Sequence, residues 1–268
     1  MVTRLVKRIY LYLIFMFLYA PIVVLVVYSF NQSKSRGHWG GFTLKWYLEL
    51  FKDTEISRAL YNTIMIAILS AVIATILGTA AAIGIHDMKK IPKAIVMNLT
   101  YLPVLNPEIV TGVSLMLLFV FSKAITRIGL GFFTMLLSHI TFNIPYVILS
   151  VLPKLKQLNK HIYEAALDLG ATPFYALWRV VVPEILPGIL TGFMLAFTLS
   201  IDDFVISFFT TGSGVSNLSI YVYSMARRGV NPKINALSTI MFLTVLILLL
   251  IVNKRMSKDN SHAKEGVK

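Results

Sequence analysis

Six long apolar runs decide what this chain can fold into. They lie at 9–30, 59–85, 95–121, 130–152, 185–209 and 236–252, and a helix needs about 20 mostly apolar residues to cross the hydrocarbon of a bilayer. Lipid offers backbone N–H and C=O groups no partner, so such segments cross as α-helices that satisfy their own hydrogen bonds. The expected fold class is therefore all-α, an integral membrane protein with six transmembrane helices forming a single domain over residues 1–268. With 57% hydrophobic and 14% charged residues, a chain of 268 residues has too little polar surface for a soluble globule.

The net charge of +13 does not indicate a nucleic-acid partner. The basic residues fall between the apolar runs, where they suit anionic lipid headgroups, and form no stripe beside stacking aromatics. Cysteine is absent, which removes disulfides, thiolate metal sites and cysteine nucleophiles from consideration. Arg4, Lys7 and Arg8 precede the first run, but that run is too long for a signal peptide and ends in Tyr28-Ser29-Phe30-Asn31 with no small-residue cleavage site. It reads as an uncleaved anchor. With both termini inside, the inner connections hold 15 of the 25 Lys and Arg residues, so the termini are expected in the cytoplasm of a multi-pass cell-membrane protein.

The spans differ in texture. Ala74, Gly78 and Ala82 recur every fourth residue, the small-residue spacing that lets helix backbones approach closely in lipid. Pro103 and Pro107 in the third run and Pro145 in the fourth each remove a backbone donor, which fits either kinked helices lining a cavity or tolerated bends. In the first outer connection Thr43 can cap a short helix whose Trp46, Tyr47, Leu50 and Phe51 share a face. The second outer connection, 210–235, contains Ile220-Tyr221-Val222-Tyr223 and Arg227-Arg228-Gly229 and fits a short outer helix or a partial re-entrant segment.

The inner connection 153–183 is far longer than a turn requires. It reads as a helix over Lys160 to Leu169, a sharp turn at Gly170 and a second helix from Pro173. Ile162, Ala165, Ala166 and Leu169 share one face, and the alanines keep it low enough for another protein's groove to close on it. Glu164-Ala165-Ala166, three residues, Gly170, nine residues, then Val180-Val181-Val182-Pro183 resembles the EAA loop of binding-protein-dependent ABC importer permeases, with valines where isoleucine and leucine are usual. Within that family the chain is similar to the spermidine/putrescine permeases. The stretches concerned are Trp39 to Thr43 with Lys45-Trp46-Tyr47, Ser138 to Phe142, Phe197 to Asp203, Ile220 to Met225, and Asn235-Ala236-Leu237. Glu108 departs from the aspartate expected after Asn106-Pro107, keeping the charge and moving it by one methylene.

The resemblance implies a type I ABC importer permease fold in a heteromeric polyamine importer. Its other parts would be a second, PotB-like permease, two copies of a PotA-like ATPase and an external PotD-like polyamine-binding protein. It implies ATPase coupling through Glu164, Ala165, Ala166, Asp168, Gly170 and Pro183, and binding-protein docking at Trp46, Tyr47, Arg227 and Arg228. The chain has no G-x-x-x-x-G-K-[ST] loop, so ATP is expected on the partner subunit, with no cofactor here and no enzyme activity. No H-E-x-x-H or G-x-S-x-G motif occurs, and the five histidines are scattered, so no metal site is expected. Another cationic or small polar cargo, or a six-span carrier working without ATP, are the alternatives.

Three acids inside the spans point to cargo. A carboxylate near the bilayer centre costs about 2.5 to 3.5 kcal/mol, so Glu108, Asp202 and Asp203 need water, a partner or a ligand. Counted through continuous helices at about 1.5 Å per residue, Glu108 and Asp202 rise about 22 and 26 Å from the cytoplasmic side, which allows a shared acidic mouth. Neighbouring helix residues point about 100° apart, so Asp202 and Asp203 do not both face one pathway. Phe142, Tyr146 and Phe204 add candidate cation-π faces for an ammonium group. The same acids also suit helix ends, pairs with Arg227 or Arg228, or contacts to a partner permease.

Overall fold

The computed structural model describes residues 2–34, 38–127, 129–228, 232–244 and 246–247. Among these, regular structure is helical apart from one bridged pair, Asn31 and Phe42. The helices are α1 (Val2–Tyr28), α2 (Lys45–Phe51), α3 (Thr54–Asp87), α4 (Lys90–Leu105), α5 (Glu108–Thr126) and α6 (Phe132–Gln157). They continue with α7 (Lys160–Asp168), α8 (Pro173–Ala176), a π-helical turn over Leu177–Val181, α9 (Val182–Asp202), α10 (Val205–Thr210) and α11 (Leu218–Arg228). A last helix, α12, covers 232–244.

Among the described residues, five helical stretches are long and apolar enough to cross a membrane: Val6–Tyr28, Thr54–Asp87, Glu108–Ile125, Phe132–Gln157 and Pro173–Asp202. The sixth expected span, 236–252, begins in α12 and otherwise lies outside the described residues.

Two expected spans are not continuous. The run 95–121 breaks between α4 and α5, because Pro107 has no N–H to extend a helix and pushes Asn106 into extended backbone at φ −76, ψ 145. The run 185–209 breaks after Asp202, where Asp203 is extended at φ −63, ψ 123. The depths counted through unbroken helices therefore do not apply. At the inner end the fifth span starts earlier than expected, since α8, the π turn and α9 form one helical stretch from Pro173. Pro103, Pro145, Pro153 and Pro187 stay inside helices.

The chain divides into two compact units, 1–57 with 222–268, and 58–221. In the first, the outer loop is organised around Asn31. Its Oδ1 accepts from the Gly40 N–H at 2.8 Å and the Ser33 N–H at 3.1 Å, its Nδ2 donates to the His38 carbonyl, and its own carbonyl accepts from the Trp46 indole at 2.7 Å. Phe30 stacks on Phe42 with ring centroids 5.2 Å apart, and Lys233 reaches Glu49 at 3.5 Å and Asp53 at 3.7 Å. Along α1, side chains such as Tyr12 and Phe17 are exposed, which suits lipid or another subunit.

In the second unit α6 is the central helix, with 67% of its apolar window buried against 39% for α3. A Cβ at Gly78 would meet Val147 at 2.7 Å, so α3 packs on α6 more closely than any larger residue there allows. Val147, Val151, Ile185 and Ala196 form the core with Ala71 and Ala82. At one level the apolar packing is pinned by polar side chains: Ser70 and Ser200 hydroxyls lie 2.9 Å apart and Asn143 donates to Ser200 at 2.7 Å, joining α3, α6 and α9. In lipid such bonds contribute about 0.6 to 2 kcal/mol each.

Candidate functional site

Two helix breaks lie side by side. Glu108 is the first residue of α5, where an acid suits the positive end of the helix dipole. Gly112, one turn or about 6 Å further along, packs on α10: a Cβ there would sit 3.5 Å from the Ile206 Cα and 3.0 Å from the Phe209 ring. Because α10 follows Asp202 by three residues, Gly112 of α5 lies against the segment just after the break that ends α9. Glu108 is within electrostatic reach of Tyr146, whose ring centroid is 5.2 Å from that of Phe142. The side chains of Glu108 and Asp202, both exposed, make no hydrogen bond or ion pair among the described residues.

Asp203 differs from Asp202 in every respect. Its side chain is 4% exposed. One carboxylate oxygen accepts from the Ile206 N–H at 3.1 Å and the other from the Ser207 N–H at 2.7 Å, which satisfies orphan donors at the start of α10. His139 Nε2 lies 3.5 Å from the second oxygen and 2.9 Å from the Ser207 hydroxyl. Asn217 donates to that hydroxyl at 2.8 Å and to the Asp203 carbonyl at 3.2 Å. Both oxygens of Asp203 are thus used within the fold. Phe142, 4% exposed, is packed behind Tyr146 and does not offer a free face, while Phe204 is half-buried against Phe208 at 5.4 Å.

The inner knob is built from local rules. Asn159 accepts from the His161 N–H to start α7, and Thr172 accepts from the Tyr175 N–H to start α8 with Pro173 in its first turn. Between them α7 closes on a left-handed glycine: Gly170 has φ +87, its N–H bonds the Leu167 carbonyl, and the Ala171 N–H bonds the Ala166 carbonyl. Glu164, Ala165, Asp168 and Pro183 are exposed and Ala166 is half-buried; Glu164 lies 3.2 Å from His161. Tyr163 and Leu177 anchor the knob on the bundle core. The apolar groups that project from it are Leu169 at 89% exposure, Phe174 at 72% and Trp178 at 56%. Phe174 and Trp178 were not singled out from sequence, although two aromatics four apart after a helix-opening proline were the available signal. The π turn, one residue wider than the α-helical repeat, joins this knob to α9.

The outer aromatics have structural duties. Trp46 is 3% exposed and holds Asn31, so it cannot present its ring to a docking protein. The Tyr47 hydroxyl shares a hydrogen bond with Ser29 at 2.6 Å and its ring tilts on Phe30. Arg227 lies over the Tyr223 ring at 5.9 Å, and the Arg228 side chain is outside the described residues.

Long apolar helices and the match that follows together define a membrane transport subunit. Residues 74–256 match the family described as binding-protein-dependent transport system inner membrane component, and the chain belongs to that family, as a multi-pass inner-membrane permease of the ABC importer class. It is 35% identical to the spermidine/putrescine transport system permease protein PotC of Escherichia coli strain K12, over 99% of both chains. It is 39% identical to the putrescine transport system permease protein PotI of the same organism, over 94% of this chain and 93% of that one. Its fold matches the crystal structure of a bacterial ABC transporter that imports the acidic polysaccharide alginate, with a TM-score of 0.72 at 20% identity over 95% of this chain and 94% of that one.

Proposed function

We propose that this chain is the PotC-like permease of a polyamine importer. It pairs with a PotB-like permease, takes energy from a PotA-like ATPase dimer bound at the Gly170 knob, and receives spermidine or putrescine from a PotD-like extracytoplasmic protein. The whole of 1–268 acts as one transmembrane domain with both termini in the cytoplasm. The observation that supports this cargo best is the pair of carboxylates, Glu108 and Asp202, that have no side-chain partner among the described residues and lie at helix breaks. A cation with separated charges loses hydration in a narrow mouth, and fixed acids replace it. Tyr146, beside Glu108 and backed by Phe142, and Phe204, beside Asp202, give aromatic faces to the same region. The relatives' printed names supply the same cargo class.

The reading is tested by reconstituting the four components in liposomes and measuring ATP-driven uptake of spermidine and putrescine. Saturable uptake of at least one is expected. Import of a different substrate from the same binding protein, with neither polyamine carried, would assign another cargo.

Docking of the loaded binding protein is assigned to the outer end of α11. Alanine at both Arg227 and Arg228 is expected to weaken its association severalfold at low ionic strength and to have a much smaller effect at high salt. Equilibrium binding at two salt concentrations measures this, and an unchanged affinity at both would remove α11 from the docking surface.

A further inference from the structure

Two adjacent aspartates close α9, and their surroundings give them different work. The carboxylate of Asp203 is spent on two backbone N–H groups of α10, and its carbonyl is held by Asn217. Ser207, one turn into α10, is the hub: its hydroxyl meets His139 from α6 and Asn217 from the start of α11, and its N–H meets Asp203. The side of the cluster away from α6 is fixed to α3, because the Leu218 N–H donates to the Thr63 hydroxyl at 2.8 Å and Asn62 donates to the Ser216 carbonyl at 3.0 Å. His139, Asn217 and Ser207 are all 2% exposed or less. Four segments are therefore tied to the one point where α9 stops, and the residue immediately before that point is the unpartnered Asp202.

We infer that His139, Asp203, Ser207 and Asn217 are positioning residues that set the end of α9 and so aim the Asp202 carboxylate at the pathway, with Asp203 itself meeting no cargo. This rests on the polyamine-permease reading above for the role of Asp202. If the cluster were relaxed, α9 would run on or fray past Asp202, and helical geometry would swing that carboxylate by about 100° per residue of change. The carboxylate of Asp203 works here as a hydrogen-bond acceptor at both oxygens, and asparagine keeps one of those two bonds while removing the charge. Charge at position 203 is thus dispensable while charge at position 202 is not.

The experiment compares Asp203→Asn, Asp203→Ala and Asp202→Asn in the full reconstituted importer, at equal membrane abundance, reading KM and maximal rate of spermidine uptake separately. A second readout is independent of transport. The chain has no cysteine, so Asp202→Cys introduces the only thiol in this subunit, and its rate of modification by a cationic thiosulfonate reports how position 202 is presented. Asp203→Asn, which keeps one of the two bonds to α10, is expected to fall between native and Asp203→Ala in both KM and labelling rate, whereas Asp203→Ala and Asn217→Ala raise KM about tenfold and alter the labelling rate severalfold. His139→Gln, whose amide can keep a hydrogen bond to the Ser207 hydroxyl in either direction, should behave as Asp203→Asn does. An Asp203→Asn variant as defective as Asp202→Asn, with native labelling at position 202, would overturn the assignment and make Asp203 a cargo ligand. Normal spermidine kinetics in Asp202→Asn would instead defeat the underlying cargo reading, whatever Asp203 does.

Discussion

Replacing Gly170 with valine is expected to cut ATP-driven uptake to less than about a tenth of the native rate while leaving the chain in the membrane at normal abundance. The backbone at Gly170 has φ +87, and the α7 C-terminus depends on it through the bonds from Gly170 and Ala171 back to Leu167 and Ala166. A non-glycine residue in this region costs about 1 to 2 kcal/mol, and a β-branched one more, so the chain would leave the left-handed turn. Nothing lies within 4 Å of a Cβ placed there, so the loss cannot come from a clash with the bundle. What changes is the direction in which the chain leaves α7, and with it the spacing of Leu169 from Phe174 and Trp178, the apolar groups a partner ATPase would grip. The spans should be untouched, since the core around Val147 and Ile185 lies elsewhere. Co-purification of the ATPase with the permease pair, and ATP hydrolysis stimulated by the loaded binding protein, measure the effect. Native coupling in Gly170→Val would remove the turn from the drive mechanism, and an alanine variant should fall between native and valine.

Much of this architecture was legible in the sequence because membrane folds obey few rules. Ala74, Gly78 and Ala82 announced a closely packed helix, and the contact at Val147 is what that spacing produces. Likewise Gly170 announced its turn, since a lone glycine between two amphipathic stretches has few other uses. The breaks were harder, because hydropathy averages over them. Asn106-Pro107-Glu108 does hold the ingredients of a helix stop and restart, an extended pre-proline residue followed by an acid in the first turn, yet the apolar residues on either side read as one run. Asp202 and Asp203 could not be told apart at all. The difference between them is made by His139 and Ser207, 68 residues apart in the chain, and by Asn217, none of which a local pattern connects. Trp46 was hard to read for a related reason: an outer tryptophan suits an interface on composition alone, and only the Asn31 carbonyl reveals that its indole N–H is committed.

The same distinction makes the cargo prediction sharp. Asp202→Asn preserves size and most hydrogen bonding while removing the charge, so a loss reports electrostatics and not packing. At an effective dielectric of about 20, a carboxylate about 5 Å from an ammonium contributes about 3 kcal/mol, which would be about two orders of magnitude in affinity. Asp202 is exposed, and water in an open mouth screens much of this, so a loss of about tenfold in uptake efficiency is the realistic expectation. Glu108 is exposed at the head of α5, where screening is stronger, and Glu108→Gln should lose severalfold. Because α5 packs on α10, the two acids sit at the same pair of breaks and would bind one cation jointly. Their double amide should then be less damaging than the product of the single losses, as is usual for groups that share a partner. Initial rates of spermidine and putrescine uptake, taken over a range of concentrations with ATPase assembly verified in each variant, decide the matter. Native rates in both single amides would end the acidic-mouth mechanism, and strictly multiplicative losses would place the two carboxylates at separate steps along the pathway.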